Sequence, residues 1–386
     1  MKNRIWLGFV LVLVFSACRK DPKDPLVNQG GTKYVPTVID PTTIFPVSKF
    51  GLPNLPSDNP FTEEGVYLGR MLFYDPILSF DSSVSCGSCH RQQYAFADPV
   101  IFSNGIYGLK TGRNSSSLIN LAYSKKFFWD ARQTTLRDLV FEPIQAHNEM
   151  AMTLPLLSKR LGKAKRYVEY FDKAFGSEPN VFDMSKALEQ FLLSIVSQNS
   201  LFNKFFPGRF SLLNDEEKRG ALLFNGLVNF DVPTGLTTGA DCFHCHGGGL
   251  AQQNNPDMGG IANNGLDGNF PDKGYGAITG NPADRGLFKT PSLLNISVTA
   301  PYMHDGRFAT LDEVIDHYSD NVNYLSPTIS PMMAAHGNRQ LKLTVQQKAD
   351  LKAFLMTMTD TAFLANPAYA NPFKKEVPFI RVLDVM

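Results

Sequence analysis

The sequence has no apolar run long enough to span a bilayer, little tryptophan or histidine, and no excess of either charge. Its longest apolar stretch, Ile5 to Ala17, has 13 residues, whereas a spanning helix needs about 20. With 37 basic against 36 acidic residues the formal charge is +1, which gives no argument for nucleic acid or an anionic membrane surface as partner. Strand signals are sparse: few β-branched runs alternate with polar residues. Of 386 residues, only 2 are tryptophan, 7 histidine and 5 cysteine. So small a stock makes the placement of each one informative.

Four of the five cysteines fall in two short motifs, Cys86-Gly-Ser-Cys89-His90 and Cys242-Phe-His-Cys245-His246. Cys-x-x-Cys-His is the attachment site of c-type haem. Each thiol forms a thioether with one vinyl group, and the adjacent histidine becomes the proximal iron ligand. A disulfide or a zinc pair is the competing reading, but a lone Cys-x-x-Cys has no second pair to complete a tetrahedral zinc site. Two covalent haem c groups are therefore expected, bound by Cys86, Cys89, His90 and by Cys242, Cys245, His246.

The N-terminus has a charged start, Met1-Lys-Asn-Arg4, and the short apolar run ends in small residues, the layout of a secretory signal over 1–17. Cys18 follows Phe15-Ser16-Ala17, which resembles a bacterial lipobox, with Phe15 in place of the usual leucine. The expectation is an exported chain on the periplasmic side or cell envelope, lipid-anchored at Cys18. An ordinary export signal is the alternative. Removing 1–17 takes Lys2 and Arg4 from the 37 basic residues and leaves 35 against 36 acidic. Residues 18–45 carry Pro, Gly and Thr-Pro signals with little periodicity and read as a tether.

A weak internal repeat frames the two motifs. Gly69-Arg-Met-Leu72-Phe73 precedes the first and Gly220-Ala-Leu-Leu223-Phe224 the second, each in an amphipathic segment with an acidic start. Loop-rich stretches, 91–115 and 247–288, follow the motifs. Thr310-Leu-Asp-Glu313 and Thr344-Val-Gln-Gln347 are capping boxes. The first opens a helix with Leu311, Val314, Ile315 and Tyr318 on one face. Further helices are expected over 182–196 and 154–175. The fold expected is mainly α, two cytochrome c-like haem domains with long loops, over 46–212 and 213–386.

The stretch Leu68-Gly-Arg-Met-Leu-Phe-Tyr-Asp75, the first haem motif, Phe96-Ala-Asp98 and Arg113-Asn114 resemble the bacterial di-haem cytochrome c peroxidases. So do Phe128-Trp-Asp130, Asn148-Glu-Met150, Phe288-Lys-Thr-Pro291 and Thr299-Ala-Pro-Tyr-Met-His-Asp-Gly306, in the same order. The resemblance implies a peroxide site at the N-terminal haem, electron uptake at the C-terminal haem, and a Ca²⁺ between them. It places Glu149 as the distal carboxylate, Trp129 as the indole between the haems, and His304 beside the second haem and its propionates. Asn114, Thr299 and Pro301 fall where the family supplies calcium oxygens. The implied partners are hydrogen peroxide and a small donor such as a cytochrome c or cupredoxin, with a homodimer as the family's other possibility. His147, His244, His317 and His336 take surface or loop placement by default.

Three departures matter. Ile106 stands where many family peroxidases place a histidine that caps the peroxide haem, so this iron is expected to be five-coordinate at rest. Tyr318 stands where they place the methionine ligand of the second haem, as in the di-haem enzyme that matures the quinone cofactor of methylamine dehydrogenase. A phenolate lowers the potential that methionine raises; Met303, Met332 and Met333 are alternative ligands. Leu139 stands where a distal glutamine is frequent. The leading expectation is a peroxidase. A quinone-maturation type of oxidase acting on a protein, and a non-catalytic electron-transfer cytochrome, are the alternatives.

Overall fold

The structure, a computed structural model, describes residues 34–46, 51–205, 209–226, 239–247, 260–333 and 340–374. The expected signal over 1–17, Cys18 and His336 lie outside the described residues. The fold is mainly helical, with one two-stranded sheet pairing β1 (Ile261–Ala262) with β2 (Phe288–Lys289). No helix among the described residues is long and apolar enough to cross a membrane.

The internal repeat is a repeated helix pair. Helix α1 (Glu63–Tyr74) begins at Thr62, whose hydroxyl accepts from the Gly65 amide, and carries Glu63 and Glu64 in its first turn. The four-residue helix α2 (Cys86–Cys89) holds the first haem motif. Four longer helices follow: α3 (Leu136–Gln145), α4 (Leu154–Lys163), α5 (Lys165–Phe175) and α6 (Val181–Ser194). In the second half come α7 (Asp215–Phe224), α8 (Phe243–His246) with the second motif, α9 (Leu311–Asp316) and α10 (Val345–Met356). Helix α1 packs on α6 as α7 packs on α10.

A shared glycine sets both crossings. A β-carbon at Gly69 would lie 2.0 Å from the Ala187 carbonyl oxygen and 2.8 Å from the Phe191 β-carbon. At Gly220 it would lie 2.0 Å from the Asp350 carbonyl oxygen and 2.7 Å from the Phe354 β-carbon. The phenylalanine after each glycine then meets its partner ring, Phe73 on Phe191 at 5.2 Å and Phe224 on Phe354 at 5.2 Å. Gly69→Ala is therefore expected to force the helices apart and destabilise by about 1–3 kcal/mol, read as a fall in Tm. Gly162→Ala meets nothing within 4 Å and is expected to stabilise α4 by about 0.5–1 kcal/mol. Equal melting shifts for the two variants would contradict this packing account.

Several expectations change in detail. Within the tether expected over 18–45, described residues join the core instead: Ile39, Ile44 and Phe45 are buried, and the Thr37 amide donates to Glu64 Oε2 at 2.8 Å. The helix expected over 154–175 is two, broken at Ala164 (φ −82°, ψ 83°) just after Gly162 and Lys163. Both capping boxes form as expected. The helix opened by Thr310, however, passes into a π-helical turn over His317–Asn321. Leu311 and Ile315 face the core, while Val314 and Tyr318 line a cavity. The C-terminal segment returns to the first half: Arg70 donates to the Ala370 and Pro367 carbonyls, Tyr74 to Tyr369, and Gln92 to Asn366.

Candidate functional site

Two cavities open beside the two Cys-x-x-Cys-His turns. Cys86, Cys89, His90, Glu149, Arg132, Leu139 and Trp129 line the first. Cys242, Cys245, His246, Tyr318, Met303, His304, Asn114, Thr299 and Pro301 line the second. Trp129, Asn114 and Lys289 border both.

The two motif histidines are prepared alike. His90 Nδ1 lies 2.7 Å from the Phe96 carbonyl oxygen, and His246 Nδ1 lies 3.1 Å from that of Pro291. A carbonyl only accepts, so Nδ1 carries the hydrogen and donates it. In a neutral ring that leaves Nε2 as the free lone pair, the arrangement that orients a metal-binding imidazole. Burial keeps both rings neutral: His90 is held below its ordinary pKa and His246 is held down to about 4. None of the four thiols is paired in a disulfide. Paired thiols on a helical turn, a histidine with Nε2 free and an adjoining cavity fit one covalent haem at each motif.

In the first cavity, burial raises the Glu149 pKa; Arg132 opposes the shift and Glu142 adds to it. Glu149 is placed by a close backbone contact, since the Ile106 amide donates to its carbonyl oxygen at 2.8 Å. A β-carbon at Gly105 would come within 2.1 Å of the Asn148 oxygen, so only glycine allows that contact. Ile106 itself is fully buried and does not line the cavity. Among the described residues, no histidine besides His90 lines this cavity.

Between the cavities, motifs far apart in the chain hold Trp129. Its Nε1 donates to the Asn114 carbonyl at 2.9 Å, and its own carbonyl accepts from the Lys289 amide at 2.7 Å. The neighbouring Asp130 carboxylate accepts from Arg113 at 2.5 Å and Arg132 at 3.0 Å. Arg113 in turn grips Asp272 with two bonds. His304 stacks on Phe288 with ring centroids 3.8 Å apart, and its carbonyl accepts from the Asn114 amide. Lys289 makes no ion pair among the described residues, and burial lowers its pKa to about 8.

In the second cavity Tyr318 is half-buried, and the desolvation of its hydroxyl pushes its pKa up to about 12. Asn264 Nδ2 donates to its hydroxyl oxygen at 3.2 Å and to Met303 Sδ at 3.6 Å. Met332 and Met333 also border the space. His317 corrects a default placement: it is 3 % exposed, and its Nε2 donates to the Asn264 carbonyl at 3.2 Å. His147 and His244 are exposed. Arg132, Gly105 and Asn264 had no signal in the sequence, and Lys289 had none beyond its place in Phe288-Lys-Thr-Pro291. Arg132 sits one residue beyond the Phe-Trp-Asp-Ala segment, yet its place beside Glu149 depends on tertiary folding.

A family model described as di-haem cytochrome c peroxidase matches residues 63–211. The cytochrome-c peroxidase IdrP1 of Pseudomonas sp. (strain SCT) is 32 % identical over 336 residues, covering 79 % of this chain and 83 % of that protein. The methylamine utilization protein MauG of Methylorubrum extorquens is 33 % identical over 306 residues, covering 78 % and 80 %. A solved MauG-like protein associated with microbial copper homeostasis superposes with a TM-score of 0.74 at 31 % identity, over 90 % of this chain and 100 % of that one. Peroxidases and MauG proteins thus stand side by side among the relatives. By these sequence likenesses, the chain belongs to the family of di-haem cytochrome c peroxidases.

Proposed function

We propose that the protein reduces hydrogen peroxide at the His90 cavity with electrons that enter through the His246 cavity from a small protein donor, a cytochrome c or a cupredoxin. Peroxide, two electrons and two protons give two waters. The observation that carries the reading is a half-buried carboxylate, Glu149, in the same cavity as His90, beside a tryptophan shared with the other cavity. When bound, the haem iron at each motif supplies the redox chemistry and, at His90, the position where peroxide binds.

Glu149 serves first as base, taking the proton from the near oxygen, and then as acid, returning it to the far oxygen as the O–O bond breaks. Burial suits both roles, because it brings the acid and base forms closer in energy near neutral pH. Arg132 offers positive charge to the departing oxygen where Leu139 cannot hydrogen-bond. Trp129 divides the path between the cavities into two shorter steps. Tyr318 would bind the iron on the His246 side, and the Lys289 ammonium would complement haem propionates. Asn114, Thr299 and Pro301 offer the hard oxygen donors that suit one Ca²⁺, beside the wall that carries Trp129.

Haem c is attached outside the cytoplasm, which supports export to the periplasmic side, with Cys18 as a lipid anchor. A dimer is compatible with this reading. The fully haem-loaded protein is expected to consume peroxide with a reduced small cytochrome c in a steady-state assay. Absence of peroxide-dependent turnover would sink the proposal.

Tyr318 in the second cavity and the absence, among the described residues, of a second histidine from the first favour one further reading, a MauG-type oxidase acting on a protein. Peroxide-dependent modification of a protein partner, with poor oxidation of soluble donors, would select it.

A further inference from the structure

We infer that Asn264 decides which side chain takes the sixth position of the second iron, holding Tyr318 in place as ligand and withholding Met303. The inference rests on the reading of Tyr318 as that ligand. Two candidate ligands of opposite character, a hard phenol oxygen and a soft thioether, line one cavity and are bridged by a single amide nitrogen, 3.2 Å from one and 3.6 Å from the other. Sulfur in a thioether only accepts, so the NH₂ of Asn264, and not its carbonyl, is turned toward this pair.

Those two bonds act in opposite directions on the competitors. An N–H donated to the Tyr318 oxygen favours the deprotonated phenolate, the form that binds ferric iron. An N–H directed at Met303 Sδ engages a lone pair the thioether needs for iron. Met303 is further constrained by a left-handed backbone, φ 73°, inside a loop closed by the Gly306 amide bonding its carbonyl.

Asn264 is itself clamped from both sides. Its carbonyl accepts from His317, the residue before Tyr318 on the π-helical turn. The preceding Asn263 side chain donates to Ser326 and Thr328 at 2.8 and 3.0 Å and receives the Gly265 amide. The loop carrying the amide and the turn carrying the phenol therefore move as one piece. Such turns recur at functional sites, and here the turn sets Tyr318 against the amide.

The test compares the diferric holoprotein with Asn264→Leu and Asn264→Asp, two variants of similar volume that lack the N–H donor. Resonance Raman reads the phenolate-to-iron signature, and near-infrared absorption reads the sulfur-to-iron charge-transfer band. Wild type is expected to show the first and lack the second. Both variants are expected to lose the phenolate signature, gain the sulfur band and raise the second haem's reduction potential. Asn264→Leu combined with Met303→Leu is expected to remove the sulfur band. An unchanged high-spin signal from the first haem reports that each variant has folded.

A phenolate signature retained at full strength in both single variants overturns the role of Asn264 and leaves Tyr318 standing. A sulfur band that persists without Met303 overturns the assignment of the competitor. Wild type lacking the phenolate signature overturns the inference together with the reading beneath it.

Discussion

Replacing Glu149 with glutamine is expected to lower kcat/KM for peroxide by roughly 10²–10⁴-fold, the usual worth of a positioned acid–base group, while both haems stay attached. Glutamine keeps the volume and an oxygen but cannot take up the peroxide proton. The carboxylate must be ionised to begin the reaction, so wild-type activity falls as pH falls through the Glu149 pKa. Burial raises that pKa, against the opposing charge of Arg132. The acid limb of the profile should therefore lie above the ordinary carboxylate range, and the residual activity of Glu149→Gln should lack it. Measuring kcat/KM from acid to neutral pH for both proteins checks this. A Gln variant within about twofold of wild type would remove Glu149 from the chemistry, since a positioned acid–base group is worth far more than that.

Trp129→Phe is expected to split the two halves of the cycle. The first reaction of peroxide, at the His90 cavity, should be nearly unchanged. Turnover should fall about tenfold or more, equivalent to about 1.4 kcal/mol in barrier, because phenylalanine is far harder to oxidise. The substitution also removes the Nε1–H that bonds the Asn114 carbonyl at 2.9 Å, at a cost of about 0.5–1.5 kcal/mol. Stopped-flow mixing with peroxide, followed by steady-state assay with a reduced donor, separates the two effects. Equal losses in both phases would mean that the tryptophan only supports the fold.

What could be read from the sequence was local chemistry and helix grammar. Cys86-x-x-Cys89-His90 and its counterpart are contiguous, and so are the capping boxes at Thr310 and Thr344. The repeat around Gly69 and Gly220 was visible as a pattern, but the reason for each glycine lies on another helix, at Ala187 and Asp350. The break at Ala164 escaped because its flanks keep a helical apolar pattern across the joint, with Leu157 and Leu161 buried before it and Tyr167 and Phe171 after it.

His317 looked like a surface histidine because the π-helical turn that buries it has no sequence signature distinct from an ordinary helix. Asn264 and Arg132 were silent for a related reason. A single asparagine or arginine in a loop is ordinary until folding sets it against Tyr318 or beside Glu149. The resemblance to the peroxidases supplied Trp129 and Glu149; the physics of their setting, a shared wall and a half-buried carboxylate, came only with the three-dimensional arrangement.

The central claim is an iron at His90 left open to peroxide beneath Glu149, and electron paramagnetic resonance of the as-isolated diferric protein tests it most directly. The account predicts one high-spin haem and one low-spin haem, because His90 is the only histidine among the described residues at the first cavity while Tyr318 and Met303 border the second. Cyanide should convert the high-spin signal at once, without prior reduction, since no protein ligand has to leave. Two low-spin signals that cyanide leaves unmoved until the protein is reduced would contradict it.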